Sequence, residues 1–303
     1  MNYKVSVLIP VYNRSAVVIN AIESVLSQSY GDIEIIIGDN CSTDGTWDVI
    51  NNYARKFNNI KIFKNDKNIG PVKNWAECLK RATGKFCVFL WSDDILYPNF
   101  IEKCITNFSE EISFVFSGIE FKDNDGKTLK KVYHINNGLV ESKKYLKGIL
   151  LLNKENYPFS PACAMFRTKD LKNNLLIEID NSLDLKFSVY GAGNDLLIFL
   201  LTAVKYKYIY ILDYIGCSFT VHNESLSIKN DLRIYYYYAK YYFIINLYQS
   251  VASQFVSLLV VKGFKHRKYL QIVKLFPKRY CFNFFYVLVV VMNKLSLIKN
   301  REN

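Results

Sequence analysis

The chain has 303 residues and is 50% hydrophobic, enough for one large domain, or a domain with an appendage, around a sizeable core. Its net charge of +12 is concentrated after residue 230, where 12 Lys and Arg stand against two acidic residues. These cations flank long aliphatic and aromatic runs, a pattern that argues against nucleic-acid binding. It favours instead a surface that lies on anionic lipid or one that docks another protein.

The N-terminal half alternates between short apolar strands and amphipathic helices. Strands are predicted at residues 5–10, 33–37, 60–63, 86–90 and 113–116, with apolar residues at helical spacing between them. Pro71 suits the first turn of the third helix. This order predicts an α/β fold with a mostly parallel sheet flanked by helices. No G-x-G-x-x-G follows the first strand, so the sequence lacks the main feature that would indicate a dinucleotide-dependent dehydrogenase.

The C-terminal part has a different character. Residues 241–261 carry no charge and are long enough to cross a bilayer, but six of them are Asn, Gln or Ser. An amphipathic or packed helix is therefore favoured over a spanning one, and the uncharged stretch 280–293 is short for a crossing. We place a boundary near residue 230, with a basic, aromatic, helical and membrane-associating extension at 231–303.

Cysteines and the N-terminus bear on the compartment. The seven cysteines show no C-x-x-C pair and no metal-ligand or disulfide spacing, which indicates a reducing cytoplasm. The first residues lead directly into a strand without the layout of a signal peptide. Together with the basic extension, this predicts a cytoplasmic protein held peripherally on the inner face of the cell membrane.

Acidic side chains follow two of the predicted strands. Asp39 comes after the second strand, and Asp93 and Asp94 come after the fourth. Carboxylates at strand ends of an open α/β sheet can hold a divalent metal together with a ribose or diphosphate. A single aspartate in such a place is more often a turn or helix-cap residue, but the combination favours a nucleotide-ligand site.

Four segments resemble the family 2 glycosyltransferases, which have the GT-A fold. They are VLIPVYNR at 7–14, GDNCSTDGT at 38–46, NIGPVKN at 68–74 and LWSDD at 90–94, in the order and spacing of that family. The resemblance covers roughly residues 4–125 and is specific for the fold and for nucleotide-sugar use, but not for one sugar. It implies a catalytic domain at 1–230, with a nucleotide-sugar half at 1–125 and an acceptor half at 126–230.

The resemblance also implies roles for residues of the donor half. Pro10 and Tyr12 would line the base pocket, and Asp39 would accept a hydrogen bond from the base, typically uracil or thymine. Lys73 would lie near the diphosphate, and Asp93 would bind the ribose. Asp94 would coordinate Mn²⁺ or Mg²⁺, although Ser92 replaces the first carboxylate of the Asp-x-Asp motif found in many relatives.

Two further roles are implied in the acceptor half. Asp195 matches the acid that deprotonates the incoming hydroxyl, although Asn194 replaces the more usual acid before it. The structural alternative for Asp195 is a cap of the apolar helix that follows. His222 resembles a late histidine that reaches the metal or diphosphate, but a lone histidine is as often a surface or core residue.

Two functions are consistent with these residues. The first is a metal-dependent, inverting glycosyltransferase that moves a sugar from a UDP- or dTDP-type donor to a glycan or lipid-linked acceptor in surface polysaccharide synthesis, such as O-antigen. The second is a non-catalytic binding or scaffold protein with the same fold, which Ser92 and Asn194 would favour. The acidic character of Asp39, Asp93, Asp94 and Asp195 favours the enzyme.

Overall fold

A computed structural model of the chain describes residues 3–132, 137–151, 157, 160–221, 230–263 and 268–281. The strands are β1 Val5–Val11, β2 Ile33–Asp39, β3 Ile60–Lys64, β4 Phe86–Phe89, β5 Ile95–Leu96, β6 Ile112–Lys122, β7 Thr128–Val132, β8 Gly138–Glu141, β9 Ala164–Arg167 and β10 Tyr208–Thr220. The helices are α1 Val18–Leu26, α2 Thr46–Lys56, α3 Pro71–Arg81, α4 Phe100–Thr106, α5 Ser142–Leu150, α6 Thr168–Asn174, α7 Phe187–Tyr190, α8 Asn194–Ala203, α9 Arg233–Leu247, α10 Ala252–Gly263, α11 Lys268–Leu275 and α12 Lys278–Cys281.

The strands form one mixed sheet in the order β3-β2-β1-β4-β9-β6-β10-β5. Strands β3, β2, β1 and β4 are parallel, as the alternation of strands and helices predicts. Strand β9 then runs antiparallel between β4 and β6, while β6 and β10 are again parallel. Strands β7 and β8 pair at the sides of β6 and β10. The expected mostly parallel α/β sheet is therefore present, with antiparallel additions in the second half.

Side chains of the central strands alternate between two apolar layers. Val7 and Ile35 belong to the layer under α1, α2 and α4, whereas Leu8 and Ile36 belong to the layer under α3 and α8. All four are fully buried. This coverage of both faces leaves the carboxyl ends of β1, β2 and β4 at one open edge of the sheet, where polar loops follow.

Helices α9, α10 and α11 pack on the second of these layers. Phe243 of α9, Phe255 and Leu259 of α10 and Ile272 of α11 are fully buried in the same apolar cluster as Leu8 and Ile36. The uncharged stretch 241–261 is divided between two helices, because the chain bends by 119° between α9 and α10. The expectation of one helix over this stretch was wrong. The sequence left open whether the stretch is amphipathic or packed, and its buried residues pack in the core.

Within the described residues, no single helix has both the length and the hydropathy to cross a bilayer. Taken together, the bent pair α9 and α10 has the length and composition of a membrane-crossing segment, but no other property of such a segment is shown. Residues 282–303, with most of the stretch 280–293, lie outside the described part of the chain.

Candidate functional site

A cavity of about 780 Å³ opens at the carboxyl ends of β1, β2 and β4. On the strand side it is lined by β1 and by the loops after β1, β2 and β4. On the opposite side it is lined by the α7–α8 turn, the end of β10 and α9. The lining includes Pro10, Tyr12, Arg14, Asn40, Asn68, Asn74, Trp75, Trp91, Asp93, Asp94, Ser160, Tyr190, Asp195, Thr220 and Tyr236.

The loop after β1 is locked to the loop after β2. Asn13 has a positive φ of 50°, which an asparagine tolerates better than most residues. Its side-chain oxygen accepts a hydrogen bond from the Thr43 N–H at 2.9 Å, and its own N–H donates to Ser42 Oγ at 2.9 Å. The next N–H, that of Arg14, donates to Thr46 Oγ1 at 2.9 Å. These bonds hold Tyr12 and Arg14 at the rim of the cavity.

Asp93 and Asp94 follow β4, as the sequence predicts, but their environments differ. Asp93 is partly exposed and pairs with Arg14, with Nε 3.8 Å from its Oδ2. Asp94 is 4% exposed, and its Oδ1 accepts the Thr220 N–H at 3.1 Å. Burial first, and then the negative charge of Asp93, raise the pKa of Asp94 well above its ordinary value, whereas the Thr220 hydrogen bond opposes this.

This acidic pair fits a hard divalent cation. A buried carboxyl with a raised pKa ionises readily once a cation stands beside it, and carboxylate oxygen is the ligand that Mg²⁺ and Mn²⁺ prefer. Within the described residues, no cluster of three or more His, Cys, Asp or Glu could enclose a metal. The protein would thus supply one or two carboxylates, and phosphate oxygens and water would complete the shell. His222 lies outside the described residues.

Asp195 lies across the cavity, in the first turn of α8. Its Oδ1 accepts the N–H groups of Gly193 at 2.8 Å and Leu196 at 2.7 Å, and its Oδ2 accepts the Tyr236 hydroxyl at 2.9 Å. Burial raises the pKa of Asp195 to about 7, against the lowering effect of these hydrogen bonds. The helix-cap residue is Gly193, so Asp195 is not the N-cap, although it does bind the N–H of the cap residue.

Of the other residues predicted to bind the nucleotide-sugar donor, some line the cavity and some do not. Pro10 and Tyr12 line the cavity, and Tyr12 is 42% exposed. Asp39 is fully buried behind the lining, where it accepts hydrogen bonds from Ser42 and lies 3.7 Å from Lys64 Nζ. Lys73 lies on the exposed side of α3 and is not among the lining residues. The roles of Asp39 and Lys73 therefore stay predictions.

The structure adds polar residues that the sequence analysis did not select. Asn40 donates to Asn68 Oδ1 at 2.8 Å, and Asn74 donates to the Gly38 carbonyl at 2.8 Å. Asn65 joins the two pairs by donating to Asn40 and Asn74. All except Asn65 and Gly38 line the cavity, and all except Asn65 lie within segments 38–46 and 68–74. The cation Arg14 likewise lies at the end of segment 7–14.

An aromatic wall completes the cavity. The rings of Trp75 and Trp91 lie 4.8 Å apart, and Trp91 Nε1 donates to Ser160 Oγ at 3.1 Å. Gly191 passes so close to this wall that a Cβ there would lie 2.3 Å from Trp75. Trp91 lies within segment 90–94, whereas Trp75 and Tyr236 lie outside the four motif segments. The three side chains come from the β4 loop, α3 and α9 and meet only in the folded chain.

Sequence comparisons identify relatives that each match about two fifths of the chain. The chain is 35% identical over 131 residues to the putative teichuronic acid biosynthesis glycosyltransferase TuaG of Bacillus subtilis, covering 43% of this chain and 52% of that protein. It is 33% identical over 136 residues to a Campylobacter jejuni GalNAc(5)-diNAcBac-PP-undecaprenol beta-1,3-glucosyltransferase, covering 42% of this chain and 44% of that protein. An uncharacterized glycosyltransferase of Rickettsia bellii is 37% identical over 131 residues, which cover 43% of this chain and 19% of that protein.

The matched segments span between about a fifth and about half of the length of these relatives. Solved structures extend the similarity of the fold over nearly the whole chain. S. aureus TarS 1-349 in complex with UDP-GlcNAc superposes with a TM-score of 0.60 at 20% identity, covering 91% of this chain and 82% of that one. The mannosyltransferase PcManGT of Pyrobaculum calidifontis, in complex with GDP-Man and Mn2+, gives 0.55 at 13% identity, covering 98% and 81%. The GT-A-like fold expected from the sequence is therefore confirmed.

The family itself follows from the match of a sequence model. The model described as glycosyl transferase family 2 matches residues 6–175, which is more than half of the chain. This range contains all four motif segments and the acidic residues Asp39, Asp93 and Asp94, and it ends before α8. The chain therefore belongs to glycosyl transferase family 2.

Proposed function

We propose that the chain is an inverting, metal-assisted glycosyltransferase that moves a sugar from a nucleotide diphosphate donor to a glycan or lipid-linked acceptor. One observation carries this proposal. A carboxyl whose pKa lies at about 7 and an acidic pair suited to a cation line opposite sides of the same cavity. A transfer that displaces a diphosphate needs a proton acceptor at one end and charge neutralisation at the other.

The donor would bind along the strand side. Tyr12, Pro10 and Asp93 line this side of the cavity. Tyr12 and Pro10 would offer a surface for the base, and Asp93 would bind the ribose. Arg14 also lines this side and is the cation that we assign to the diphosphate, in addition to the predicted Lys73. A UDP or dTDP donor is favoured by the sequence motifs, and the name of the TarS structure records UDP-GlcNAc in a protein of the same fold.

Asp94 would hold Mn²⁺ or Mg²⁺, with the partly exposed Asp93 beside it. When bound, such an ion would stabilise the negative charge that builds on the departing diphosphate. His222 stays a predicted further ligand. Thr220 would orient Asp94 through the hydrogen bond between its N–H and Oδ1.

Asp195 would act as the general base. The acceptor hydroxyl gives its proton to the carboxylate while its oxygen forms a bond to the anomeric carbon. The bond from that carbon to the diphosphate breaks, and its electron pair leaves with the nucleoside diphosphate. Because the acceptor attacks from the face opposite the leaving group, the anomeric configuration inverts. A pKa of about 7 suits such a base, since much of it is ionised near neutral pH.

The acceptor is proposed from relatives and from charge. The names of the Bacillus and Campylobacter relatives refer to teichuronic acid and to an undecaprenol-linked glycan, which favours a role in bacterial surface polysaccharide synthesis. A lipid-linked acceptor would place the enzyme at a membrane. Lys274, Lys278 and Arg279 are exposed on α11 and α12, so we propose peripheral attachment to anionic lipid on the cytoplasmic side.

A ligand screen followed by a turnover assay tests this function. Purified full-length protein is first screened by thermal shift against nucleotides and nucleotide sugars with Mn²⁺, and each stabilising donor is then assayed for transfer and for hydrolysis. We expect one donor class both to stabilise the protein and to turn over, with an inverted anomeric product by NMR. Binding without turnover would support the scaffold function instead, and a product of retained configuration would contradict the mechanism.

A further inference from the structure

Three donors surround the carboxylate of Asp195, and they are distributed unequally. Oδ1 accepts two backbone N–H groups, from Gly193 and Leu196, which use both of its lone pairs. Among the described residues, the one donor to Oδ2 is the Tyr236 hydroxyl, at 2.9 Å. Within this part of the chain, one lone pair of Oδ2 is left to receive a proton, and both Asp195 and Tyr236 line the cavity.

Tyr236 is held in place by the packing of α9 against the start of α8. Gly193 has a φ of +89°, and a Cβ there would lie 3.0 Å from the Tyr235 carbonyl oxygen and 3.2 Å from Ala239 Cβ. The ring of Tyr235 also packs edge-to-face on Phe187, with centroids 5.2 Å apart. The backbone of α9 thus approaches Gly193 as closely as a residue without a side chain permits, which fixes the position of Tyr236.

We propose that Tyr236 is a positioning residue for the catalytic base, holding Asp195 so that Oδ2 presents its remaining lone pair to the acceptor hydroxyl. This proposal rests on the function proposed above and adds a requirement to it. The active site includes a residue beyond position 230, outside the range 6–175 that the family model matches. The C-terminal helices are then part of the catalytic machinery as well as a covering layer.

The hydrogen bond from Tyr236 also bears on the protonation of Asp195. It favours the charged carboxylate and so works against burial, which raises the pKa of Asp195 to about 7. Tyr236 comes from α9 and Tyr190 from α7, while Arg14, Asp93 and Asp94 line the same cavity from the strand side. Among the side chains of these elements, that of Tyr236 donates directly to the carboxylate.

The variant Tyr236→Phe removes this donor and keeps the ring. Without it the pKa of Asp195 should rise by roughly one unit, the size expected for one hydrogen bond to a charged group. The acidic limb of the kcat/KM profile should move to higher pH by the same amount, with about fivefold lower activity at pH 7 and nearly normal activity above pH 9. A purely structural role would instead lower the activity equally at every pH.

Tyr241→Phe is the matched control. Tyr241 lies on the same helix, and its hydroxyl donates to the Leu275 carbonyl at 3.2 Å, away from the cavity lining. This variant should leave the pH profile unchanged. If Tyr236→Phe and Tyr241→Phe give the same profile, the positioning role is wrong.

A second measurement is independent of turnover. The carboxyl of Asp195 is titrated by ¹³C NMR in wild-type and Tyr236→Phe protein and is assigned through Asp195→Asn. An upward shift supports the role of Tyr236 even if no donor is ever turned over, whereas an unchanged titration overturns it. If Tyr236→Phe does not fold, 3-fluorotyrosine at position 236 serves instead: as a stronger donor it should lower the pKa of Asp195, and an unchanged titration would again overturn the proposal.

Discussion

Two buried carboxyl groups in this cavity differ in the number of hydrogen-bond donors around them. Burial is the largest cause of the raised pKa of both Asp94 and Asp195. Asp195 has two backbone N–H groups and one hydroxyl to stabilise its charge, whereas Asp94 has the Thr220 N–H and a negative neighbour, Asp93. Asp195 is therefore suited to exchange a proton near neutral pH, and Asp94 is suited to receive a cation.

Replacing Asp94 should separate stability from activity. The variant Asp94→Asn keeps an oxygen that can accept the Thr220 N–H but removes a charge that is costly to bury. We expect metal-free Asp94→Asn to melt higher than wild type at pH 8, by about 2 °C or more, and transfer activity to fall at least about a hundredfold. Thermal unfolding and a Mn²⁺ titration of turnover measure the two effects.

The sign of the pH dependence follows from linkage. A carboxyl whose pKa is higher in the folded state than in the unfolded state binds protons more tightly when folded. The contribution of Asp94 to the free energy of unfolding therefore falls as pH rises above the ordinary value of 3.8. The thermal advantage of Asp94→Asn should then disappear below about pH 4. Equal melting at pH 8, or turnover that is insensitive to EDTA, would contradict the role given to Asp94.

At the scale of the elements, the end of β2 depends on its contact with α3. Gly38 leaves no room for a side chain, because a Cβ there would lie 2.5 Å from the Phe63 ring and 2.6 Å from Cys78 Sγ. Its carbonyl also accepts the Asn74 side chain from α3. The position of Asp39, the next residue, and of the asparagine cluster is thus coupled to this close approach.

Gly38→Ala should therefore destabilise the protein by about 1–3 kcal/mol, the usual effect of overpacking, and weaken donor binding through the displaced loop. Chemical denaturation measures the free energy of unfolding. Gly31→Ala is the control, since a Cβ at Gly31 meets nothing within 4 Å, and it should stay within about 0.5 kcal/mol of wild type. Equal stability of the two variants would show that β2 and α3 can separate at no cost.

The sequence predicted the elements that local patterns determine. Apolar periodicity located β1 to β4 and α1 to α3, and the acidic residues after β4 were correctly expected at an open edge of the sheet. The antiparallel insertion of β9 was not predicted, because its pairing depends on residues nearly 80 positions away. The contact of Tyr236 with Asp195, 41 residues earlier in the chain, was not predicted either. A run of four tyrosines does not indicate which of the hydroxyl groups faces the cavity.

The break between α9 and α10 has a similar origin. An uncharged stretch over residues 241–261 indicates burial, but it does not indicate where a helix must turn to follow the surface beneath it. The chain bends at the short 3₁₀ turn Gln249–Val251, and this allows Phe243 and Phe255 to enter the same core. Tertiary packing therefore determines where the helix breaks, and the composition of the stretch does not predict this position.

At the scale of the whole molecule, the C-terminal helices have a buried face and a basic exposed face. Most large apolar residues of α9 to α11 lie in, or pack partly buried against, the core shared with the sheet, whereas Leu247 and Val261 are exposed. Lys274, Lys278 and Arg279 remain exposed. Attachment to a membrane would then be mainly electrostatic for this part of the chain, with residues 282–303 outside the described structure.

Charge reversal tests this attachment. Each cation near an anionic surface contributes about 1 kcal/mol, so reversing Lys274, Lys278 and Arg279 to Glu should lower binding to vesicles rich in anionic lipid by about a hundredfold or more. Reversal of three exposed lysines before residue 230, Lys56, Lys80 and Lys127, is the matched control and should have a smaller effect. Flotation at low and high salt measures both. If the full-length protein does not bind anionic vesicles, the proposed membrane attachment is wrong, and the role of these helices is packing alone.

The most direct test of the catalytic assignment is the turnover of Asp195→Asn with the donor found by the ligand screen. Asparagine keeps the size of the side chain and an oxygen for the Gly193 and Leu196 N–H groups, but it cannot take the acceptor proton. We expect kcat to fall roughly a hundredfold or more while the Kd of the donor stays within about twofold. Wild-type kcat/KM should decline below pH 7, where Asp195 is protonated, and the variant should lack this limb. Unchanged turnover, or a loss confined to donor affinity, would contradict the assignment of Asp195 as the base.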